Sequence, residues 1–466
     1  MQNVFLEQFL MISEWKTLGF ILAFIVIALI LWKLPKEKFN FSNRVLIATV
    51  LGLVLGFAMQ VISGFSDDPS QITFVKETTL WYGLIGKGFI SFIRMLVIPL
   101  VMVSIIHVIL HMEEGSHVRK LVQRGILTTM GMVMLSAIVG VVIGIIFQVG
   151  GNPSMQIAGE DAAQIKEVVP VVTTLLNLIP SNPVEAMVNN NIVGVVIFST
   201  FIGLAARKMQ KKYPEILRVF YDLIDASHKI VISMAMSVIK GMPYGVLALL
   251  ANTIAQRGLS SILEVGKFIL LIYLASFIMM VVQMIMLVFF KVNPIIYLKK
   301  AFSTLLLAFT SRSSLGVLPA TIDVLTKELG VSQGTASFVA SFGTTAGMQG
   351  CAGIFPALLI VYVANTTGVA IDFSMVLMAI LVITIGSVGI AGIPGTSTMA
   401  ATVGLSGVGL GASFGYITPI LAIDPIIDMV RTMLNVSGSM TNAIMVDRQL
   451  NKMDMNVFQQ STTDHK

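Results

Sequence analysis

Asp424–Ser439 reads DPIIDMVRTMLNVSGS: two aspartates and an arginine lie in a helix-forming stretch whose surroundings are apolar enough to be membrane-embedded. At ~100° per residue, Asp424, Asp428, Arg431, Asn435 and Ser439 fall within an arc of about 80°, so one polar stripe runs along the helix. A charge at mid-membrane costs roughly 2.5–3.5 kcal/mol on insertion scales. It is tolerated where it faces a cavity, a partner charge or a ligand. The stripe is the first candidate for a solute site.

The rest of the chain supports the membrane setting. Of 466 residues, 56% are hydrophobic and 12% charged, and the mean hydropathy is +0.89, far from the roughly 25% charged content of soluble domains. Apolar runs of about 20 residues separated by short charged loops fit a helical bundle rather than a β-barrel, whose strands alternate every second residue. The fold class expected is an all-α polytopic membrane protein in contact with lipid. Lys and Arg (30) outnumber Asp and Glu (24), but they sit between spans and report topology, not nucleic-acid binding. The single cysteine, Cys351, excludes an intrachain disulfide. No cleavable signal peptide is visible before the first apolar run, so that run is expected in the mature protein.

Spans are expected at about 17–32, 45–62, 81–110, 125–147, 192–206, 219–250 (interrupted near Pro243) and 262–290. Basic clusters at 33–44, 119–124, 207–218 and 291–300 mark cytoplasmic loops, and the less basic 63–76 and 150–170 alternate with them as external loops. This puts the N-terminus outside. After Lys300 the pattern changes. Residues 301–330 are broken by Thr310-Ser311-Arg312-Ser313-Ser314, and 375–413 by the Gly- and Pro-rich stretch 389–395. Each half is too short to span, so both read as re-entrant hairpins, followed by longer helices at 331–363 and 414–446. Paired interrupted segments of this kind point to a transporter binding site.

Several motifs have two readings. The serines around Arg312 suit a polar turn, and equally a half-helix N-terminus that receives a carboxylate. Gly392, Pro394 and Gly395 suit a kink, or a tip where backbone approaches a ligand. Gly347-Met348-Gln349-Gly350-Cys351 interrupts its helix either for close packing or to turn carbonyl oxygens toward a cation. Asp424 and Asp428 suit a purely structural pairing with Arg431, but three ionisable groups plus Asn435 exceed what one bridge needs. His107 and His111, with Glu113, Glu114 and His117 nearby, lack the H-E-x-x-H pattern. They are read as the polar end of a helix and not as a metal centre. Cys351 and the methionines are read as packing residues. No Walker motif is present, so ATP does not drive the protein directly.

Taken together, Thr310–Ser314, Gly392–Gly395 and Asp424–Ser439 resemble the dicarboxylate/amino acid:cation symporter family, with its glutamate-transporter-like fold, over essentially the whole chain after Phe41. The resemblance implies eight core transmembrane helices, two re-entrant hairpins and a homotrimer, with 17–32 as an additional N-terminal helix. It implies a division into 1–40 (the extra helix and a loop), 41–300 (the first six core helices), 301–446 (a transport core of hairpins and the last two helices) and 447–466 (a cytoplasmic tail). By position, Asp428 corresponds to the residue that binds the substrate ammonium and Arg431 to the one that reads the far end of the substrate. Thr432 and Asn435 are their polar neighbours, while Ser313 and Ser314 with the second tip hold the α-carboxylate. Gly347, Gln349, Asp424, Asn435 and Ser439 correspond to the cation-coupling positions.

Two departures bear on coupling. Where the family commonly has N-M-D-G-T this chain has Gly347-Met348-Gln349-Gly350-Cys351, and Ser439 stands where a sodium-binding aspartate would be. Hard cations favour carboxylate oxygens, so these neutral residues disfavour the usual sodium stoichiometry and admit H⁺ in place of Na⁺. No other metal or cofactor is expected. The stretch from Ala346 to Leu359 and the extra first span resemble the family's bacterial L-cystine uptake subgroup. The function expected is secondary active import of L-cystine or a similar amino acid by an elevator-like movement. The alternatives are a dicarboxylate or acidic or neutral amino acid transporter, and a channel-like ion conductor. An enzyme is disfavoured because no nucleophile and base pair stands beside the aspartates.

Overall fold

The computed structural model describes residues 9–35, 39, 41–66, 69–111, 116–151, 179–189, 191–390 and 396–460, and among them every regular element is helical. Among the described residues, six helices are long and apolar enough to cross a membrane, with a seventh span if Pro214–Ile239 and Met242–Gln256, bent by 49°, are taken together. The chain divides into two compact units.

The first unit comprises Met1–Met95, Ala235–Leu270 and Gly415–Ile427. Its first helix, α1 (Trp15–Lys33), matches the additional N-terminal span and stops where Leu34 turns extended ahead of Pro35. α2 (Phe41–Ile62) and α3 (Thr73–Leu110) follow. Glu77 of α3 fastens α1: its carboxylate accepts from the Thr17 hydroxyl at 2.6 Å and from the Ser13 amide at 3.1 Å. Tyr82 donates to the Phe20 carbonyl at 2.8 Å, and Phe20, Phe24 and Phe74 pack around it. A polar anchor surrounded by aromatic contacts fixes the rotation of a helix that is otherwise apolar all round. α2 lies close against α8 (Met242–Phe289). A Cβ on Gly52 would stand 2.9 Å from the Leu247 carbonyl, and one on Gly56 2.9 Å from that of Ala251, the small-residue packing typical of membrane helices.

α7 (Pro214–Ile239) ends before Gly241, and α8 then runs unbroken to Phe289. The interruption expected near Pro243 is present, just before that residue, whereas no loop separates residues 250 and 262. Pro243 sits in the first turn of α8, where a missing N–H removes no helical hydrogen bond.

The second unit comprises Leu96–Met234, Leu271–Phe414 and Asp428–Lys466. Its helices include α4 (Ser116–Ile146), α5 (Pro183–Val188) and α6 (Ile192–Gln210). The first interrupted segment is a helix pair. α9 (Pro294–Ser311) starts with Asn293 capping Ile295 and ends at Arg312, whose φ of 55° is left-handed. α10 (Ser314–Asp323) starts immediately with Ser313 as its cap. A π turn, Val324–Glu328, continues it. α11 (Gln333–Thr345) is interrupted at 346–348 and resumes through a second π turn, Gln349–Ile354, into α12 (Phe355–Thr367). α13 (Phe373–Gly386) and α14 (Thr396–Gly407) pack on each other and on α12 or α4. The tip expected between them, with Gly392, Pro394 and Gly395, lies outside the described residues, as do Asp67, Asp68, Glu113, Glu114 and the 152–170 part of the expected external loop.

The last long helix is shorter than the expected 414–446. A 3-10 turn, Gly411–Ile417, and a short α15 (Thr418–Ala422) precede α16 (Asp424–Gln449). Pro419 and Pro425 each sit at the start of a helix, so the chain restarts twice. The segment beyond 446 packs back on the unit. Buried Phe458 of α17 (Met455–Gln459) joins the core, and Lys300 donates to the carbonyls of Glu328 and Val457 at 2.8 and 3.0 Å.

Candidate functional site

The site lies in the second unit, where α16 meets the interruption between α11 and α12. α16 is not among the helices apolar enough to span, yet nearly all of it is buried. A polar helix sheathed by protein keeps its charges away from lipid. Arg431 is 0% exposed and Asp428 9%. Arg431 donates from Nη2 to Asp428 Oδ1 at 3.1 Å, and its guanidinium lies 4.3 Å from the centre of the Phe355 ring. Breaking such a buried pair by removing one partner costs about 3–5 kcal/mol, because the other charge is left uncompensated.

Three further groups converge on the same carboxylate oxygen or its neighbours. Thr432 donates to Asp428 Oδ1 at 3.4 Å, and the Cys351 thiol approaches it at 3.7 Å. Asn435, one turn along, accepts at Oδ1 from the amides of Gly350 and Cys351 at 2.8 and 3.2 Å, and its Nδ2 donates to Cys351 Sγ at 3.0 Å. The interruption leaves the first amides of the π turn without helical partners, and the Asn435 side chain supplies them. Gly350 permits the approach: a Cβ there would stand 2.6 Å from the Arg431 carbonyl.

Gln349 is fully buried and accepts from Gln283 of α8 at 2.7 Å; Gln283 in turn accepts from Ser437 at 2.6 Å, and Ser437 meets the Tyr297 hydroxyl at 3.0 Å. Among the described residues, Gln349 Nε2 has no hydrogen-bond partner. Ser439 donates to the Asn435 carbonyl at 3.0 Å, and a Cβ on Gly343 would stand 2.4 Å from its Oγ. Gly347 faces Thr129 of α4.

The structure thus brings together Asp428, Arg431, Thr432 and Asn435, with Gln349 and Ser439 on the flanks. Asp424 opens α16, buried, and belongs to the first unit. Ser313 caps α10 through Gly316, and Ser314 is buried beside it, while the contacts of Asp428 given above run to Arg431 and Thr432 of its own helix and to Cys351 of the π turn. The two readings of Arg431 also meet: it is the ionic partner of Asp428, and it lies in the candidate site. Sequence reasoning missed Cys351, assigned to packing, together with Phe355 and Gln283. Gln283 left a signal, a lone amide in the apolar run 277–290.

The family model described as Sodium:dicarboxylate symporter family matches residues 41–449, which include every part of this site. The chain belongs to the sodium:dicarboxylate symporter family. It is a multi-pass plasma-membrane transport protein, not an enzyme. Proteins named L-cystine uptake protein TcyP are similar over nearly the full length. That of Bacillus anthracis is 35% identical over 450 residues, covering 93% of this chain and 95% of the relative. That of Bacillus licheniformis is 33% identical, covering 93% and 95%. That of Shouchella clausii is 34% identical over 460 residues, covering 95% and 96%.

Proposed function

We propose that the protein is a cation-coupled importer of L-cystine or a closely similar amino acid. The observation that carries this reading is the buried Asp428–Arg431 pair set against the broken helix at 346–354. A zwitterionic substrate presents an ammonium and a carboxylate. Asp428 exchanges its guanidinium partner for the ammonium, and the freed Arg431 fork takes a carboxylate in a bidentate geometry. Cystine carries an amino acid group at each end, so both charges of the pair find a complement in one molecule. The names of the relatives support the choice of cystine.

In this reading Ser313, Ser314, Gly392, Pro394 and Gly395 contribute to carboxylate binding. Residues 301–446 form the transport core, which moves as an elevator relative to the helices before it, in each protomer of a homotrimer. The coupling ion, Na⁺ or H⁺, is accommodated near Gly347, Gln349, Asp424, Asn435 and Ser439.

The deciding experiment is uptake of labelled cystine into proteoliposomes under imposed Na⁺ or proton gradients. Saturable, gradient-dependent uptake with cystine counterflow is expected. Uptake of dicarboxylates in preference to cystine, or ion current without saturable uptake, would overturn the reading.

A further inference from the structure

At the end of α3, away from the polar stripe, His107 and His111 stand one helical turn apart, and Asp225 of α7 faces both. His107 Nε2 is 3.5 Å from Asp225 Oδ1, and His111 Nε2 is 3.4 Å from Asp225 Oδ2. One ligand atom from each residue can be chosen so that all lie within 4.8 Å of one another. Atoms bound about 2.0–2.1 Å from a tetrahedral zinc ion lie about 3.3–3.4 Å apart. The spacing to the carboxylate is therefore close to that of ligands around one ion.

The hydrogen bonding of His111 points the same way. His111 Nδ1 is 2.9 Å from the His107 carbonyl, which only accepts, so Nδ1 carries the hydrogen. Nε2, the other ring nitrogen, is then the one that faces the carboxylate, and it is the atom a metal ion would take. A backbone carbonyl that fixes the imidazole tautomer is the usual outer support of a metal-bound histidine. His228, also on α7, stacks on the His107 ring at 4.3 Å and 13°, holding its plane. Asp225 Oδ1 is buried and has no hydrogen-bond partner among the described residues.

We infer that His107, His111 and Asp225 form a binding site for one borderline divalent transition-metal ion, zinc or a close equivalent, that joins the end of α3 to α7. Two imidazoles and a carboxylate match that ion class, and three protein ligands leave a position for water. The sequence concealed the site because its carboxylate lies 114 positions after His111, and the nearer acids drew attention instead.

The test is zinc binding to the full-length protein, purified in detergent without a polyhistidine tag, by calorimetry and by metal analysis after gel filtration. One zinc ion per chain is expected. His111→Ala and the near-isosteric Asp225→Asn should weaken binding beyond the roughly 10–100-fold that outer-shell changes cost, and Asp222→Asn on the exposed side of α7 should leave it unchanged. Cobalt(II) should give the intense visible spectrum of four-coordinate geometry in the wild-type protein, a readout independent of the variants' folding. Absence of retained zinc, equal binding by Asp225→Asn, or a weak six-coordinate cobalt spectrum would overturn the inference.

Discussion

At residue scale, the proposed site turns on a pair of opposite charges that satisfy one another until a substrate offers a replacement for each. Asp428→Asn keeps the shape and removes the charge that receives an ammonium. A charge-assisted contact is worth roughly 1.5–3 kcal/mol, so uptake of cystine should fall by about 10- to 150-fold or more in kcat/KM while surface expression persists. Normal kinetics in membranes containing the variant would remove Asp428 from the site. Arg431→Cys should act on selectivity. It deletes the fork held 4.3 Å from Phe355, and competition profiles should shift from amino acids with a distal carboxylate or second amino acid group toward small neutral ones. An identical profile before and after substitution would reduce Arg431 to a counter-ion for Asp428.

At the scale of elements, the interruption at 346–354 sets the site's geometry by letting the π turn approach the backbone of α16. Gly350→Ala would press a Cβ to 2.6 Å from the Arg431 carbonyl and 2.8 Å from its Cα, and neither is a flexible side-chain end. Overpacking of this kind costs about 1–3 kcal/mol. The variant should unfold at lower temperature and lose uptake, whereas Gly334→Ala, with open space around its Cβ, should do neither. Equal melting temperatures for the two variants would show that α16 yields at this point. The break itself was legible in the sequence because two glycines flank a polar residue in an apolar helix, and α1 was legible because it is a plain apolar run. The polar stripe was legible from helical periodicity alone. Contacts that join distant segments were not. Nothing local announces that Gln283 reaches Gln349, or that the Asn435 side chain caps the turn through Gly350 and Cys351, because those pairings depend on how helices stack and not on spacing along one of them. The continuity of α8 was hidden because the polar residues between Asn252 and Ser261 read as a loop between two spans, whereas the helix runs through them.

At the scale of the whole molecule, the inventory of buried carboxylates bears on how transport is driven. By the family resemblance, Gln349 and Ser439 stand where the proposed coupling site would otherwise have aspartates to offset the dehydration of hard cations. Gln349 Oε1 already accepts from Gln283, and the Ser439 hydroxyl donates to the Asn435 carbonyl. Neither brings negative charge, and a cation losing its water in a buried site needs such charge or many oxygen ligands to compensate. Asp424, buried in the first turn of α16, remains as a carboxylate able to face a coupling cation. Coupling should therefore involve fewer than three sodium ions per substrate, or protons in their place. The measurement is the reversal potential for cystine flux in proteoliposomes, with the Na⁺ gradient and the pH gradient varied separately. Dependence on pH, or on one or two sodium ions, is expected, and Asp424→Asn, which removes a buried negative charge, should weaken the dependence on the driving gradient. A stoichiometry of three sodium ions with no pH dependence would mean that backbone carbonyls around the interruption compensate the cations by themselves, and the charge argument would fail.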